Sequence, residues 1–247
     1  MGKVYLVGSG PGDPELISLK AYRLIKEADV ILVDNLVLGV KTLIPEDKVV
    51  IDIGKMAGKH KLSQDGINEL LVELSAKYDT VVRLKGGDPY IFGRGGEEAA
   101  VLKAHGVVFE VVPGITSAVA VPASFYIPLT FRGISSSVTI ITGHEMEEKD
   151  ESLNWDALAN LKGTLVILMG VGNLAKNVES LLEHGMRADT PVAVIEKGFT
   201  ADARLVTGTL QNIVEVAKGE NVKPPAVIVV GEVVDVREQL KLLTNRN

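Results

Sequence analysis

Short runs of β-branched residues alternate along this chain with longer amphipathic stretches, and this alternation limits the fold more than any other feature. Each run is bounded by Gly, Asp or Pro, which is typical of strands in α/β units built around largely parallel sheets. The predicted strands are residues 4–7, 30–33, 49–51, 80–84 and 109–112 in the first half, and 138–142, 164–168, 192–196, 204–207 and 226–230 in the second. The predicted helices lie near residues 18–27, 64–77, 97–104, 175–183 and 210–218.

The chain is long enough for two modest domains. It has 247 residues, of which 46% are hydrophobic, so it can bury more than one core. Residues 122–137 carry Pro128, Gly133 and a run of three serines, which favours a crossing segment over a regular element. We therefore predict an α/β domain at residues 1–128 and a second at 129–247, both with mainly parallel sheets.

Composition excludes several classes of protein. The absence of Cys rules out disulfides, thiolate metal sites and cysteine nucleophiles, and 4 scattered His leave little for an imidazole metal site. With 26 Lys and Arg against 32 Asp and Glu, the net charge of -6 does not favour nucleic acid or an anionic membrane as a partner. The richest apolar stretch, residues 107–125, is broken by Glu110, Pro113 and Pro122 and cannot span a bilayer. We expect a cytoplasmic protein without a metal.

Two glycine-rich segments follow predicted strands of the first half. The first reads Gly-Ser-Gly-Pro-Gly-Asp-Pro-Glu over residues 8–15, and the second reads Lys-Gly-Gly-Asp-Pro-Tyr-Ile-Phe-Gly-Arg-Gly-Gly-Glu-Glu over residues 85–98. Glycine permits close approach of the backbone to a ligand, at a cost in conformational entropy that a loop without a ligand or packing need would seldom carry. Ligands of open α/β sheets bind at the carboxyl ends of strands, so both loops are predicted to face one cleft.

A dinucleotide-dependent oxidoreductase is one interpretation of the first loop. Its Ser-Gly-Pro-Gly-Asp sequence departs from the dinucleotide fingerprint, because Asp13 stands where a third Gly is needed. Asp34 lies about 20 positions beyond the loop, where such an enzyme holds the ribose with a carboxylate. The broken fingerprint and the second glycine-rich segment count against this class.

Four segments of the chain form a recognisable set: residues 7–18, 82–98, 112–118 (Val-Pro-Gly-Ile-Thr-Ser-Ala) and 229–233 (Val-Val-Gly-Glu-Val). Together they resemble the tetrapyrrole methylases, and within that family the branch that acts on uroporphyrinogen III. The second loop points to that branch more narrowly than the first, which is shared with methylases of later corrin precursors. The similarity covers nearly the whole chain.

The resemblance implies a fold and a cofactor. Members carry S-adenosylmethionine in a cleft between two α/β domains, release S-adenosylhomocysteine, need no metal and usually form homodimers. Met169 would otherwise be interpreted as a core methionine; as a cofactor contact it offers a polarizable surface for adenine. The cofactor-binding residues that the resemblance implies are Pro11, Gly86, Gly87, Asp88, Ile91, Thr116, Ser117, Met169 and Gly198.

The resemblance also implies a reaction. The family branch methylates carbons on two adjacent pyrrole rings of uroporphyrinogen III to give precorrin-2 by way of precorrin-1, which feeds sirohaem or cobalamin biosynthesis. Asp34 matches the proposed proton acceptor and Lys55 the proposed proton donor. On position alone, Asp34 is a turn residue at a strand end and Lys55 a solvated lysine, so both roles depend on the resemblance.

A substrate rich in carboxylates needs local positive charge on an acidic protein. Three positions depart from the family pattern: Asn35 and Met56 stand where Arg is usual, and Phe131 stands where His is common. These departures remove three cation-capable positions from the family pattern. The predicted substrate-binding residues are Lys59, His60, Lys61 and Arg132.

Two further functions stay open at the level of sequence. A tetrapyrrole-binding protein could keep the fold and lose the chemistry, although the presence of Asp34 and Lys55 argues against this. A later precorrin methyltransferase would use the same cofactor and differ only in its substrate.

Overall fold

The computed structural model describes residues 1–37, 39–54, 62–143 and 153–244, with side chains up to residue 240. The chain divides into two compact units, Met1–Thr116 and Ser117–Asn247. Two domains were predicted, with their boundary after residue 128. The division falls earlier because helix α4 (Ser117–Ser124) buries Ala118 and Val121 in a core of the second unit.

The first unit is built on a five-stranded sheet in the order β3-β2-β4-β1-β5. All four strand pairings are parallel, as the sequence predicts for this half. Its strands are β1 (Lys3–Gly8), β2 (Val30–Val33), β3 (Val49–Asp52), β4 (Thr80–Lys85) and β5 (Phe109–Val112). Its helices are α1 (Leu19–Glu27), α2 (Gln64–Lys77) and α3 (Gly95–Ala104), with 3-10 turns at Pro14–Leu16 and Gly39–Leu43.

Serine caps fix where the first two helices begin. The Ser18 hydroxyl accepts the Ala21 N–H at 3.1 Å, and the Ser63 hydroxyl, predicted as a cap, accepts the Gly66 N–H at 3.1 Å. Strand β2 is buried along its whole length, as expected for a parallel strand covered on both faces. The adjacent residues Ile31 and Leu32 contribute to two different apolar cores, since successive side chains of a strand point to opposite faces of the sheet.

The second unit holds a sheet in the order β6-β7-β10-β8-β9. Only β6 and β7 pair in parallel, and the other three pairings are antiparallel. Its strands are β6 (Val138–Thr142), β7 (Thr164–Leu168), β8 (Pro191–Glu196), β9 (Arg204–Thr209) and β10 (Ala226–Val230). Its other helices are α5 (Trp155–Ala159), α6 (Leu174–Glu183), α7 (Ile213–Gly219) and α8 (Val233–Thr244), with a 3-10 turn at Val171–Asn173.

Strand direction in the second sheet follows from its connections. Residues 197–203 join β8 to β9 and contain no helix, whereas a parallel crossover needs about a dozen residues or more. The pair must therefore be antiparallel, and the expectation of a mainly parallel sheet holds only for the first unit. The predicted class of two α/β domains is confirmed.

Helices α4, α5 and α8 were not predicted. Pro122 lies inside α4 and has no N–H to donate, so the sequence predicted an irregular segment from this residue onward. The helix nevertheless forms because its apolar residues pack onto the sheet, and tertiary packing outweighs a weak local propensity. Within the described ranges, no helix is long and apolar enough to cross a membrane.

A surface carboxylate of β5 gives the first unit a specific dependence on pH. Glu110 accepts hydrogen bonds from Lys20 and from Lys3, the latter at 2.6 Å, and these bonds lower the pKa of Glu110 from 4.5 to about 2. A lowered folded-state pKa contributes stability above the unfolded value, and that contribution is lost as the pH falls towards 2. Both lysines are partly exposed, so salt screens the effect.

We therefore expect Glu110→Gln to melt below the wild type near neutral pH, with the two melting curves converging in acid. Thermal melts in low salt between about pH 7 and about pH 3 measure this. Glu69→Gln is the matched control and should show a constant offset, because Glu69 is the same residue type, is exposed on α2 of the same unit and forms no ion pair within the part of the chain that the structure describes. A constant difference between Glu110→Gln and the wild type at every pH contradicts the assignment.

Candidate functional site

The two glycine-rich loops are joined by their backbones. Strands β1 and β4 are parallel neighbours, so the loops that follow them leave from the same edge of the sheet. Gly10 N–H donates to the Gly87 carbonyl at 3.1 Å, and Gly87 N–H donates to the Gly10 carbonyl at 2.8 Å. Both residues have positive φ, +76° and +65°, where glycine is strongly favoured. The prediction that these loops lie together is correct within the first unit.

A third loop, which follows β5, completes this arrangement. A Cβ on Gly114 would lie 2.2 Å from the Gly87 carbonyl oxygen, and a Cβ on Gly8 would lie 2.6 Å from the same atom. The three chain segments can approach this closely only because none carries a side chain here. We call Gly8, Gly10, Gly87 and Gly114 the glycine junction.

Asp88 ties two of these loops together. Its Oδ1 accepts the Tyr90 N–H at 2.8 Å and its Oδ2 accepts the Gly114 N–H at 3.0 Å. Each oxygen keeps further acceptor capacity, so a ligand hydroxyl or amine remains a chemically reasonable partner. The sequence prediction assigned Asp88 to the cofactor alone, and the structure adds a role in shaping the loop.

The second loop exposes apolar side chains. Ile91, a predicted cofactor contact, is 40% exposed, and its neighbours Tyr90 and Phe92 are also exposed. Phe92 and Arg94 have positive φ of 51° and 57°, which is uncommon for residues with side chains and occurs often at ligand sites. Arg94 donates from two nitrogens to Glu97 at 2.9 and 2.8 Å, and this bonding raises the pKa of Arg94.

Asp34 follows β2 at the same edge of the sheet. Both of its carboxylate oxygens accept from one nitrogen of Arg83, Nη2, at 2.8 and 2.9 Å. The Asp34 side chain is 30% exposed and that of Arg83 is 2% exposed. Asp34 thus presents a fixed carboxylate to solvent beside the second glycine-rich loop, since its N–H donates to the carbonyl of Leu84, directly before that loop, at 3.3 Å.

Two more charged groups are buried next to this pair. Glu98, fully buried on α3, accepts from Arg83 Nε at 3.2 Å and from Lys85 Nζ at 2.8 Å, in both cases through Oε1. Burial lowers the pKa of Lys85, with the positive charge of Arg83 adding to the effect. Sequence reasoning missed Arg83 and Glu98 as site residues. The available signal was the presence of Arg83 and Lys85 at alternate positions of an otherwise apolar strand. Buried cations require carboxylate partners, so this pattern predicts a buried acidic residue nearby.

Several predicted residues cannot be placed. Lys55, Lys59, His60 and Lys61 lie outside the described residues, as does the departure at Met56. Asn35, another departure, is described: its carboxamide fills the space beside Gly54, where a Cβ would come within 1.6 Å of Asn35 Oδ1.

The second unit carries the remaining predicted contacts. Met169 directly follows β7, has a φ of 55° and is 56% exposed, so it is not the core methionine that its sequence position alone suggests. Gly198 follows β8 between two residues of positive φ, and a Cβ there would lie 2.6 Å from a methyl of Val121. Arg132 is exposed in a turn after α4. These positions are compatible with ligand contact and remain predictions.

Pro11, Thr116 and Ser117 complete the predicted set. Pro11 lies inside the first glycine-rich loop, between Gly10 and Gly12, while Thr116 ends the first unit and Ser117 begins α4. All three are partly exposed. Among the residues with described side chains, no group of three or more carboxylates and imidazoles is placed to hold a metal ion.

The architecture and the glycine junction define an α/β protein whose backbone loops meet at the carboxyl edge of a parallel sheet. The profile of the Tetrapyrrole (Corrin/Porphyrin) Methylases matches residues 3–214. The chain belongs to this family.

Individual relatives are similar over almost the whole chain. A Methanosarcina barkeri protein named S-adenosyl-L-methionine-dependent uroporphyrinogen III methyltransferase is 56% identical over 241 residues, covering 97% of this chain and 94% of that protein. Uroporphyrinogen-III C-methyltransferase of Methanocaldococcus jannaschii is 52% identical over 239 residues, covering 95% and 98%. The crystal structure of the Thermus thermophilus uroporphyrin-III C-methyl transferase with S-adenyl homocysteine has a TM-score of 0.80 and 43% identity, covering 95% and 100%. The family resemblance seen in the sequence is confirmed.

Proposed function

We propose that this chain is an S-adenosylmethionine-dependent C-methyltransferase that methylates two pyrrole rings of uroporphyrinogen III, giving precorrin-2 by way of precorrin-1. The observation that carries the proposal is the 56% identity, over 97% of the chain, to a relative named for this activity. The glycine junction, in which Gly87 and Gly114 are partly exposed, supports it, because it provides the backbone-lined ligand site that such an enzyme needs.

The cofactor is assigned to the glycine junction and its flanking residues. Gly86, Gly87 and Ile91 belong to the second loop, and Pro11 belongs to the first. The N–H groups of Gly10, Gly87 and Gly114 are already bonded within the protein, so backbone carbonyl oxygens and Asp88 are the acceptors for the ribose and amino-acid ends of the cofactor, while exposed Ile91 offers an apolar surface. Thr116, Ser117, Met169 and Gly198 are the further contacts in this proposal.

The chemistry requires alignment and a proton acceptor. The sulfonium of S-adenosylmethionine already makes its methyl group a good electrophile, so the protein must hold the pyrrole carbon, methyl and sulfur in line. Methylation leaves a cationic macrocycle that loses a proton. We assign its removal to the partly exposed carboxylate of Asp34 and the donor role to Lys55.

Assembly, location and pathway follow from the same resemblance. We infer a cytoplasmic homodimer, with a tetrapyrrole as its small-molecule substrate and with product flowing to sirohaem or cobalamin. The cysteine-free, acidic sequence is consistent with a reducing compartment.

The test is the product formed from uroporphyrinogen III and labelled S-adenosylmethionine under reducing conditions. We expect S-adenosylhomocysteine and a tetrapyrrole whose mass has increased by two methyl groups, with a single-methyl intermediate at early times. A later precorrin as the sole methyl acceptor would shift the assignment to another branch of the family. Transfer to no tetrapyrrole contradicts the proposal.

A further inference from the structure

A chain of charged side chains connects Asp34 to the interior of the first unit. Arg83 bonds Asp34 through Nη2 and Glu98 through Nε, so the two ends of one guanidinium hold two carboxylates. The guanidinium is planar and its donors are fixed in direction. Once Nε is held by Glu98, the direction of Nη2 is therefore also set.

Glu98 is itself rigidly placed. It is fully buried, and Oε1 accepts from Lys85 at 2.8 Å and from Gln64 Nε2 at 3.4 Å as well as from Arg83. Its Oε2 is buried without a hydrogen-bond partner among the described residues. Leaving a buried carboxylate oxygen unpaired is costly, and such arrangements persist where another requirement fixes the group.

Asp34 differs from the other members of this cluster in its exposure. Arg83, Lys85 and Glu98 are each at most 3% exposed, whereas the Asp34 side chain is 30% exposed. Arg83 therefore cannot touch a macrocyclic substrate and can affect it only through Asp34. Both Asp34 oxygens accept hydrogen bonds from Arg83 Nη2 on the buried side. Their remaining acceptor capacity is therefore directed to solvent.

We propose that Arg83 is a positioning residue for methyl transfer: anchored by Glu98, it orients the Asp34 carboxylate towards the proton that the cationic macrocycle loses, from a pyrrole nitrogen or a bridging carbon, after a ring carbon has been methylated. This inference rests on the proposed proton-accepting role of Asp34. Orientation matters because proton transfer requires the acceptor oxygen within hydrogen-bond reach of the proton. Arg83 makes no contribution to catalysis independent of Asp34.

A double-mutant cycle tests this. Arg83→Lys keeps the positive charge but replaces the planar fork with a single ammonium, which cannot hold Glu98 and Asp34 in the same fixed geometry. We expect kcat to fall about tenfold or more, with KM for S-adenosylmethionine unchanged. Arg83→Gln also removes the positive charge, so its kcat should be lower still. In the Asp34→Asn background, Arg83→Lys should cause no additional loss, because the residue through which it acts is already disabled.

Controls separate positioning from folding. Arg204→Lys is the matched variant, because Arg204 on β9 likewise donates Nε to a buried carboxylate, Glu196, at 2.6 Å; it should keep the wild-type kcat. Melting temperature and S-adenosylhomocysteine affinity are measured for every variant. If the Arg83 variants do not fold, Glu98→Gln replaces them in the cycle, with the same expected loss of kcat and the same absence of further loss with Asp34→Asn.

The results separate the positioning role of Arg83 from the proton-accepting role of Asp34 on which it rests. Wild-type turnover in Asp34→Asn overturns the proton-accepting role and with it the positioning role. A slow Asp34→Asn in which Arg83→Lys costs the same factor as in the wild type overturns positioning alone. Wild-type kcat in Arg83→Lys and Glu98→Gln does the same.

Discussion

Replacing Asp34 with Asn should reduce turnover by about a hundredfold to ten-thousandfold while leaving cofactor affinity nearly unchanged, because a general base contributes that much to a proton transfer. Asn has the same shape and can still accept from Arg83, so the local structure is retained, but it cannot take up a proton at neutral pH. A general base acts in the transition state, so its loss lowers kcat. It does not hold the cofactor in this proposal, so its loss should change cofactor affinity little.

Asp29→Asn provides a matched control for this prediction. Asp29 directly precedes β2, whereas Asp34 directly follows it, and the Asp29 carboxylate accepts the Thr80 N–H at 2.8 Å. The two substitutions are chemically identical and lie at opposite ends of one strand. Methyl transfer from labelled S-adenosylmethionine should be near the wild-type rate in Asp29→Asn. Equal rates in the two variants would remove Asp34 from the mechanism.

The sequence was sufficient to predict the strands but not every pairing between them. Val30–Val33 is an unbroken apolar run, which identifies a strand covered on both faces. The direction of β9 depends on the connection that brings it back to β8, and a β-branched run carries no information about direction. Helix α4 was missed because its Pro122 has a local effect, whereas the packing that stabilises the helix involves β7 and β10, which come later in the chain.

The candidate site was predictable only in part for a related reason. Gly10 and Gly87 could be placed together from the sequence, since each follows a strand and parallel strands end at one edge. Arg83 is 49 positions from Asp34 and 15 from Glu98, so their contacts depend on strand register and on how α3 packs. Local sequence patterns reveal neither the strand register nor the packing of α3. The family resemblance supplied Asp34, and the structure supplied what holds it.

Gly87→Val is expected to have the largest effect on the cofactor. Gly87 has a φ of +65° and forms two hydrogen bonds to Gly10, so a β-branched residue there must shift the backbone that joins the two loops. Strain of this kind costs about 1–3 kcal/mol, and displacement of the loop backbone removes ligand contacts in addition. We expect S-adenosylhomocysteine to bind at least about tenfold more weakly, corresponding to about 1.4 kcal/mol.

Gly106→Val is the appropriate comparison. Gly106 has nearly the same φ, +68°, and nothing lies within 4 Å of the position its Cβ would occupy. It follows α3 and precedes β5, at the edge of the sheet opposite the glycine junction. Both substitutions introduce the same side chain into the same backbone conformation, so both should lower the melting temperature, and only Gly87→Val should lose the ligand.

Calorimetric titration of S-adenosylhomocysteine into the wild type, Gly87→Val and Gly106→Val tests most directly the claim that the cofactor is held at the glycine junction. If the cofactor is held there, we expect one site per chain in the wild type and in Gly106→Val, severe weakening in Gly87→Val, and no binding of NAD by any of the three. Wild-type affinity in folded Gly87→Val, or binding of NAD in place of S-adenosylhomocysteine, would contradict it.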